Sequence, residues 1–121
     1  MKLRMLEPEF TVCKVADFTG IDLERDFCFL ARTDAEYSVV CPVSGAPGNT
    51  LARDDGWRAF RIEGELDFAL IGILARLSAV LAEAEIGIFA ISTYNTDYIL
   101  TKSETFARAI DALRAAGYQI D

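Results

Sequence analysis

The spacing of apolar positions over residues 57–121 switches between strand and helix character four times, giving the order strand, helix, strand, strand, helix, strand. Trp57-Arg58-Ala59-Phe60-Arg61-Ile62 alternates between apolar and polar and reads as a strand that Gly64 ends. Leu70, Ile73, Leu74, Leu77, Leu81 and Ala84 then recur at helical spacing, with Asp67 placed to cap the helix start. Ile86-Gly87-Ile88-Phe89-Ala90-Ile91 is apolar throughout, the pattern of a strand covered on both faces. Tyr98-Ile99-Leu100-Thr101 follows a polar turn. Phe106, Ala109, Ile110 and Leu113 mark a second amphipathic helix between Ser103 as its cap and Gly117 as its stop. Tyr118-Gln119-Ile120 closes the series as a short strand.

Right-handed crossovers turn this order into a ferredoxin-like α+β unit, two helices on one face of a four-stranded antiparallel sheet. The first and third strands are neighbours in that topology. The segment after Gly64 is therefore expected beside the turn that leads into Asp97.

Before residue 57 the pattern is weaker. Phe10–Val15 reads as a strand, Asp17–Asp26 as a loop or single helical turn, and Phe27–Arg32 with Tyr37–Cys41 as a hairpin around Thr33-Asp34-Ala35-Glu36. Pro42–Gly56 holds two of the three prolines and three glycines, and reads as a linker. The expected organisation is a degenerate half over residues 1–45, a linker at 46–56 and a βαββαβ domain at 57–121. The first half resembles a worn copy of the second in pattern, with no repeat at the level of residues.

Composition narrows the function. Apolar residues make up 52% of the 121 positions, enough for a packed core. Nineteen acidic against twelve basic side chains give a net charge of −7, which disfavours a nucleic-acid partner. Histidine is absent, removing the commonest general base and metal ligand. Cys13, Cys28 and Cys41 have no metal-ligand spacing and read as small buried side chains kept reduced. No cofactor or metal site is expected. No targeting segment or membrane span is legible, so a soluble, cytoplasmic protein is expected.

The two polar loops at the predicted strand ends suit a small zwitterion. A ligand carboxylate would meet the backbone N–H groups at the start of the Asp67–Glu83 helix. Its ammonium would meet Asp97 and the amide oxygen of Asn95. Ser92 and Thr93 offer orienting hydroxyls and Tyr94 a cover for an alkyl or guanidinium stem. Glu65 adds negative charge, favouring a basic or neutral ligand over an acidic one.

The strings Trp57-Arg58-Ala59-Phe60, Leu66-Asp67-Phe68, Gly72-Ile73-Leu74-Ala75 and Ile88–Tyr94 with Thr96–Leu100 together resemble a small bacterial ACT-domain protein. The chain is similar to the ACT modules of CASTOR-type arginine sensors and, more distantly, of aspartate kinase regulatory domains. The resemblance implies a non-catalytic regulatory or sensing protein that binds an amino acid between ACT units, as a homodimer. It maps the ligand loop onto Glu65, Leu66, Asp67, Phe68, Ile71 and Gly72, and the hairpin side of the site onto Ser92, Thr93, Tyr94, Asn95 and Asp97. Two other readings stand beside it: a protein–protein interaction module with a vestigial site, and a small ferredoxin-like enzyme. An acylphosphatase-like enzyme needs an anion cradle after the first strand, where Gly64-Glu65-Leu66-Asp67 carries the opposite charge.

Overall fold

Strand β5, Thr50–Ile62, is the longest element and takes part in both halves of the chain. The computed structural model describes residues 1–64 and 71–121. Its chain forms two compact units, Pro8–Trp57 and a second made of Met1–Glu7 with Arg58–Asp121. Residues 50–56, expected within a linker, are strand. Their Asp54, Asp55 and Gly56 suppress the strand signal, yet an edge with irregular register accommodates them; β5 shifts register against its neighbour twice. No helix among the described residues is long and apolar enough to cross a membrane.

The unit of Met1–Glu7 and Arg58–Asp121 is the ferredoxin-like one. Strand β1 (Lys2–Met5) pairs antiparallel with β5 and parallel with β8 (Gln119–Ile120). On the other side β5 pairs with β7 (Asp97–Lys102), and β7 with β6 (Phe89–Ser92). The sheet order is therefore β6-β7-β5-β1-β8, the expected ferredoxin order with one extra strand between first and last. That extra strand escaped the sequence reading, although Lys2-Leu3-Arg4-Met5 alternates charge with apolar and buries Leu3.

Helices α1 (Ile73–Glu83) and α2 (Ser103–Ala115) lay their apolar stripes on this sheet. Leu77 and Leu81 of α1 and Phe106, Ala109, Ile110 and Leu113 of α2 form one core with Leu3, Phe60, Ile62, Ile99 and Ile120. Each fully buried Leu or Ile here contributes on the order of 2 kcal/mol through burial.

Both helices end in the same hydrogen-bonded motif. In α2, Gly117 takes the left-handed φ of +101°, and its N–H donates to Arg114 while that of Tyr118 donates to Leu113. In α1, Glu85 takes that position at φ +60°, with Glu85 donating to Ala82 and Ile86 to Leu81. Ile86 and Leu81 then meet in the core, as the motif requires.

The helix starts correct two expectations. α1 begins at Ile73 with Gly72 at its N-cap, so Gly72 lies outside the helix, at φ +81°. Asp67, the expected cap, lies outside the described residues. α2 begins at Ser103 itself, with Lys102 at the N-cap and no side chain capping it. The Ile86–Ile91 segment also differs. Only Phe89–Ser92 is strand; Phe89 and Ile91 are half-buried and Ala90 is exposed. Among the described pairings β6 has a partner on one side, which makes it an edge and explains the partial cover.

In Pro8–Trp57, β2 (Phe10–Val15) sits between β4 (Tyr37–Pro42) and the first part of β5, and β3 (Phe29–Arg32) pairs with β4. Strand β3 starts two residues later than expected because Phe27 takes a left-handed φ of +63°. Cys13, Val15, Val39 and Cys41 form the buried cluster, with Phe18, Ile21, Cys28 and Tyr37 packed on it. Burial drives the Cys41 thiol up to about 11 and raises that of Cys28 as well, the latter also through Asp22.

The two hairpins match position for position, sixty residues apart. Phe29, Leu30, Ala31 and Arg32 face Val40, Val39, Ser38 and Tyr37; Phe89, Ala90, Ile91 and Ser92 face Leu100, Ile99, Tyr98 and Asp97. The turn N–H of Thr33 donates to Glu36 at 2.9 Å, and that of Thr93 to Thr96 at 2.8 Å. Each second strand ends on an extended residue, Pro42 or Lys102, before a helical start. After Lys102 comes a full helix. After Pro42 comes only the 3-10 turn Val43–Gly45, because Gly45 and Pro47 oppose continuation.

Candidate functional site

The rim predicted from sequence has two sides, and one of them is described completely. Its base is set by Thr96, which is buried although it belongs to a turn. The Thr96 hydroxyl donates to the Ile62 carbonyl at 2.7 Å, fastening the hairpin turn to the end of β5. The expected adjacency of the first strand's end and the third strand's start is thus present.

Thr93 organises the turn itself. Its N–H and hydroxyl both donate to the Thr96 carbonyl, at 2.8 and 2.9 Å. The Ser92 hydroxyl donates to Oδ1 of Asp97 at 2.6 Å across the strand pair. Ser92, Thr93, Tyr94 and Asn95 are exposed, Tyr94 at 75%, and Asp97 is half-buried. A carboxylate and a hydroxyl therefore stand together at the mouth of the turn, and Tyr94 of the same turn is exposed.

The other side is partly in view. Glu65, Leu66, Asp67 and Phe68 lie outside the described residues. Ile71 is 93% exposed, and Gly72 carries no side chain, with open space where a Cβ would stand.

Sequence reasoning missed a charged group on the neighbouring strands. Arg61 of β5 donates from Nε to Glu63 at 3.2 Å and from Nη1 to the Tyr98 hydroxyl at 3.4 Å. Tyr98 first, and then Glu63, hold the Arg61 pKa above its ordinary value, so it is a permanent cation. The alternation of Trp57–Ile62 puts Arg61 on the face of β5 opposite Phe60 and Ile62, which was the available signal. Lys2, paired with Asp121 at 2.7 Å, is exposed and also raised in pKa by that partner. This polarity is paired within the protein, in contrast to the exposed amide of Asn95.

A ferredoxin-like sheet with two helices on one face hosts many unrelated functions, so the fold alone assigns none. The ACT domain family model matches residues 52–115, and the chain belongs to that family. ACT domains are regulatory, small-molecule-binding modules. Protein Atu0741 from Agrobacterium tumefaciens is similar at 29% identity and a TM-score of 0.87, over 99% of this chain and 91% of that one. A Vibrio cholerae protein described as a possible transport protein, VC0802, aligns at 19% identity and a TM-score of 0.68, over 92% and 85%. A chain from a structure of aspartokinase alpha and beta subunits aligns at 16% and 0.64, over 96% and 97%. The last two likenesses show the fold alone.

Proposed function

We propose that this protein is an amino-acid-binding sensor without catalytic activity of its own, acting as a homodimer. The observation that supports this reading is the pinned turn, in which the Thr96–Ile62 hydrogen bond sets Ser92 and Asp97 at the end of β5. Asp97 and the Asn95 amide oxygen would receive the ligand ammonium. The segment Glu65, Leu66, Asp67, Phe68, Ile71 and Gly72, which leads into α1, would receive its carboxylate. A basic or neutral amino acid fits this charge pattern better than an acidic one. A second copy would complete the cleft, and the open edge of β6 supplies an apolar strand for that contact.

Calorimetric titration of the protein with each of the twenty amino acids tests this. Binding by a subset is expected, with loss of at least about tenfold on Asp97→Ala, the worth of a charge-assisted hydrogen bond. Silence across the panel at millimolar ligand would sink the proposal. The half-exposed Phe89 and Ile91 on the same edge favour a second reading, an interaction module with a vestigial site. That reading predicts a stoichiometric protein partner whose capture is indifferent to amino acids.

A further inference from the structure

A separate concavity of about 200 Å³ opens in the Met1–Glu7 and Arg58–Asp121 unit, lined by Met1, Ile73, Arg76, Ala116, Gly117 and Tyr118. It lies where the first turns of α1 approach the end of α2 and the start of β8. Its position owes nothing to the Ser92–Asp97 turn. The size excludes a drug-sized ligand, whose sites begin near ~300 Å³. It exceeds several times the ~30 Å³ share of one water.

The lining has a simple chemistry. Ile73, Ala116, Tyr118 and Met1 offer hydrocarbon and an aromatic ring. Arg76 is the single charged side chain among the lining residues. Among the described lining residues there is no carboxylate, although the chain has nineteen acidic residues. Arg76 has no side-chain hydrogen bond or ion pair among the described residues, whereas Arg53, Arg61 and Arg114 each have one. A planar fork of donors at the edge of an apolar hollow matches a carboxylate carrying a short hydrocarbon tail. Phosphate matches only the fork and leaves the apolar wall unused.

We propose that this hollow is a second small-molecule site, taking a small monocarboxylate by a bidentate contact with Arg76 and burying its tail against Ile73 and Tyr118. Such a ligand needs no ammonium, which separates it from the amino acid of the hairpin rim.

Amide-resolved NMR titration of the full chain with 4-methylpentanoate tests the inference, with 4-methylpentanamide and inorganic phosphate as comparison probes. The carboxylate should shift the resonances of Ile73, Ala116, Gly117 and Tyr118, and the amide and phosphate should shift them far less. Arg76→Gln should weaken the response about tenfold or more. Ala116→Phe should abolish it by filling the hollow while leaving Arg76 in place. Unchanged binding by Arg76→Gln, equal response to the amide, or shifts confined to Ser92–Asp97 would each overturn the proposal. So would no shift at millimolar carboxylate. Failure of amino-acid binding at the rim leaves this result unaffected, because the probe lacks the ammonium that Asp97 and Asn95 are proposed to hold and its response is read at Ala116, Gly117 and Tyr118.

Discussion

The hydroxyl of Thr96 and the carbonyl of Ile62, 34 residues apart in the chain, lie 2.7 Å from each other in a buried setting. This bond fastens a solvent-facing turn to a strand end, so its removal should affect both stability and the rim. Replacing Thr96 with Val keeps the shape and leaves the Ile62 carbonyl without this partner. A loss of about 1–3 kcal/mol is expected in chemical denaturation. Thr96→Ser, which retains the donor, should lose clearly less. A loss in Thr96→Val no larger than that in Thr96→Ser would overturn the assignment of this stability to the hydrogen bond.

The two helix ends offer a matched experiment. Gly117 and Glu85 occupy the same left-handed position after α2 and α1. A side chain there costs roughly 1–2 kcal/mol, and the greater freedom of unfolded glycine offsets about half of this. Glu85→Gly should therefore stabilise the protein by up to about 1 kcal/mol, and Gly117→Ala should destabilise it by a similar amount. Urea midpoints of the two variants, read against the unaltered chain, check the opposite signs.

The thiol of Cys41 makes stability depend on alkaline pH. Its pKa rises from an ordinary 9.0 to about 11 on folding, mainly through burial. The folded state thus prefers the protonated thiol. The associated stability is fully present below pH 9 and disappears as pH climbs through about 11. Cys41→Ala should flatten the fall in stability over that window. In the native protein, Cys28 should be alkylated before Cys41, since Cys41 is buried and Cys28 half-exposed. Mass mapping after brief iodoacetamide treatment gives the order directly.

Much of the Arg58–Asp121 fold was legible because its signals agree with one another. Ile73, Leu77 and Leu81 repeat at helical spacing, Gly117 stops α2 where a left-handed residue is needed, and the Thr93–Thr96 turn separates two strands. What escaped notice had conflicting signals. Lys2-Leu3-Arg4-Met5 is short and charged, so its alternation was overlooked. Asp54, Asp55 and Gly56 look like a linker, although the pairing of Asp54 and Trp57 with β2 on either side of a register shift carries them within a strand. The hairpin repeat was invisible in residue identity because a strand pair conserves register and burial, not side chains. Val39 and Ile99 are both fully buried at equivalent positions, while only Phe29 with Phe89 and Thr33 with Thr93 match by type. Of the candidate site, the turn residues followed from the topology. Arg76 is an exposed helix charge, and nothing along the chain foretells that Gly117 and Tyr118 line the same hollow.

The insertion of β1 between β5 and β8 means that the ferredoxin-like unit is not a continuous stretch of chain. Leu3 must find Ile62 on one flank and Ile120 on the other, so the sheet closes only when Lys2–Met5 meets Gln119–Ile120. Contacts of such long sequence separation place assembly among the slower topologies for a protein of this size. Trimming the first seven residues would take a slat out of the middle of the sheet, leaving β8 stranded beyond the gap.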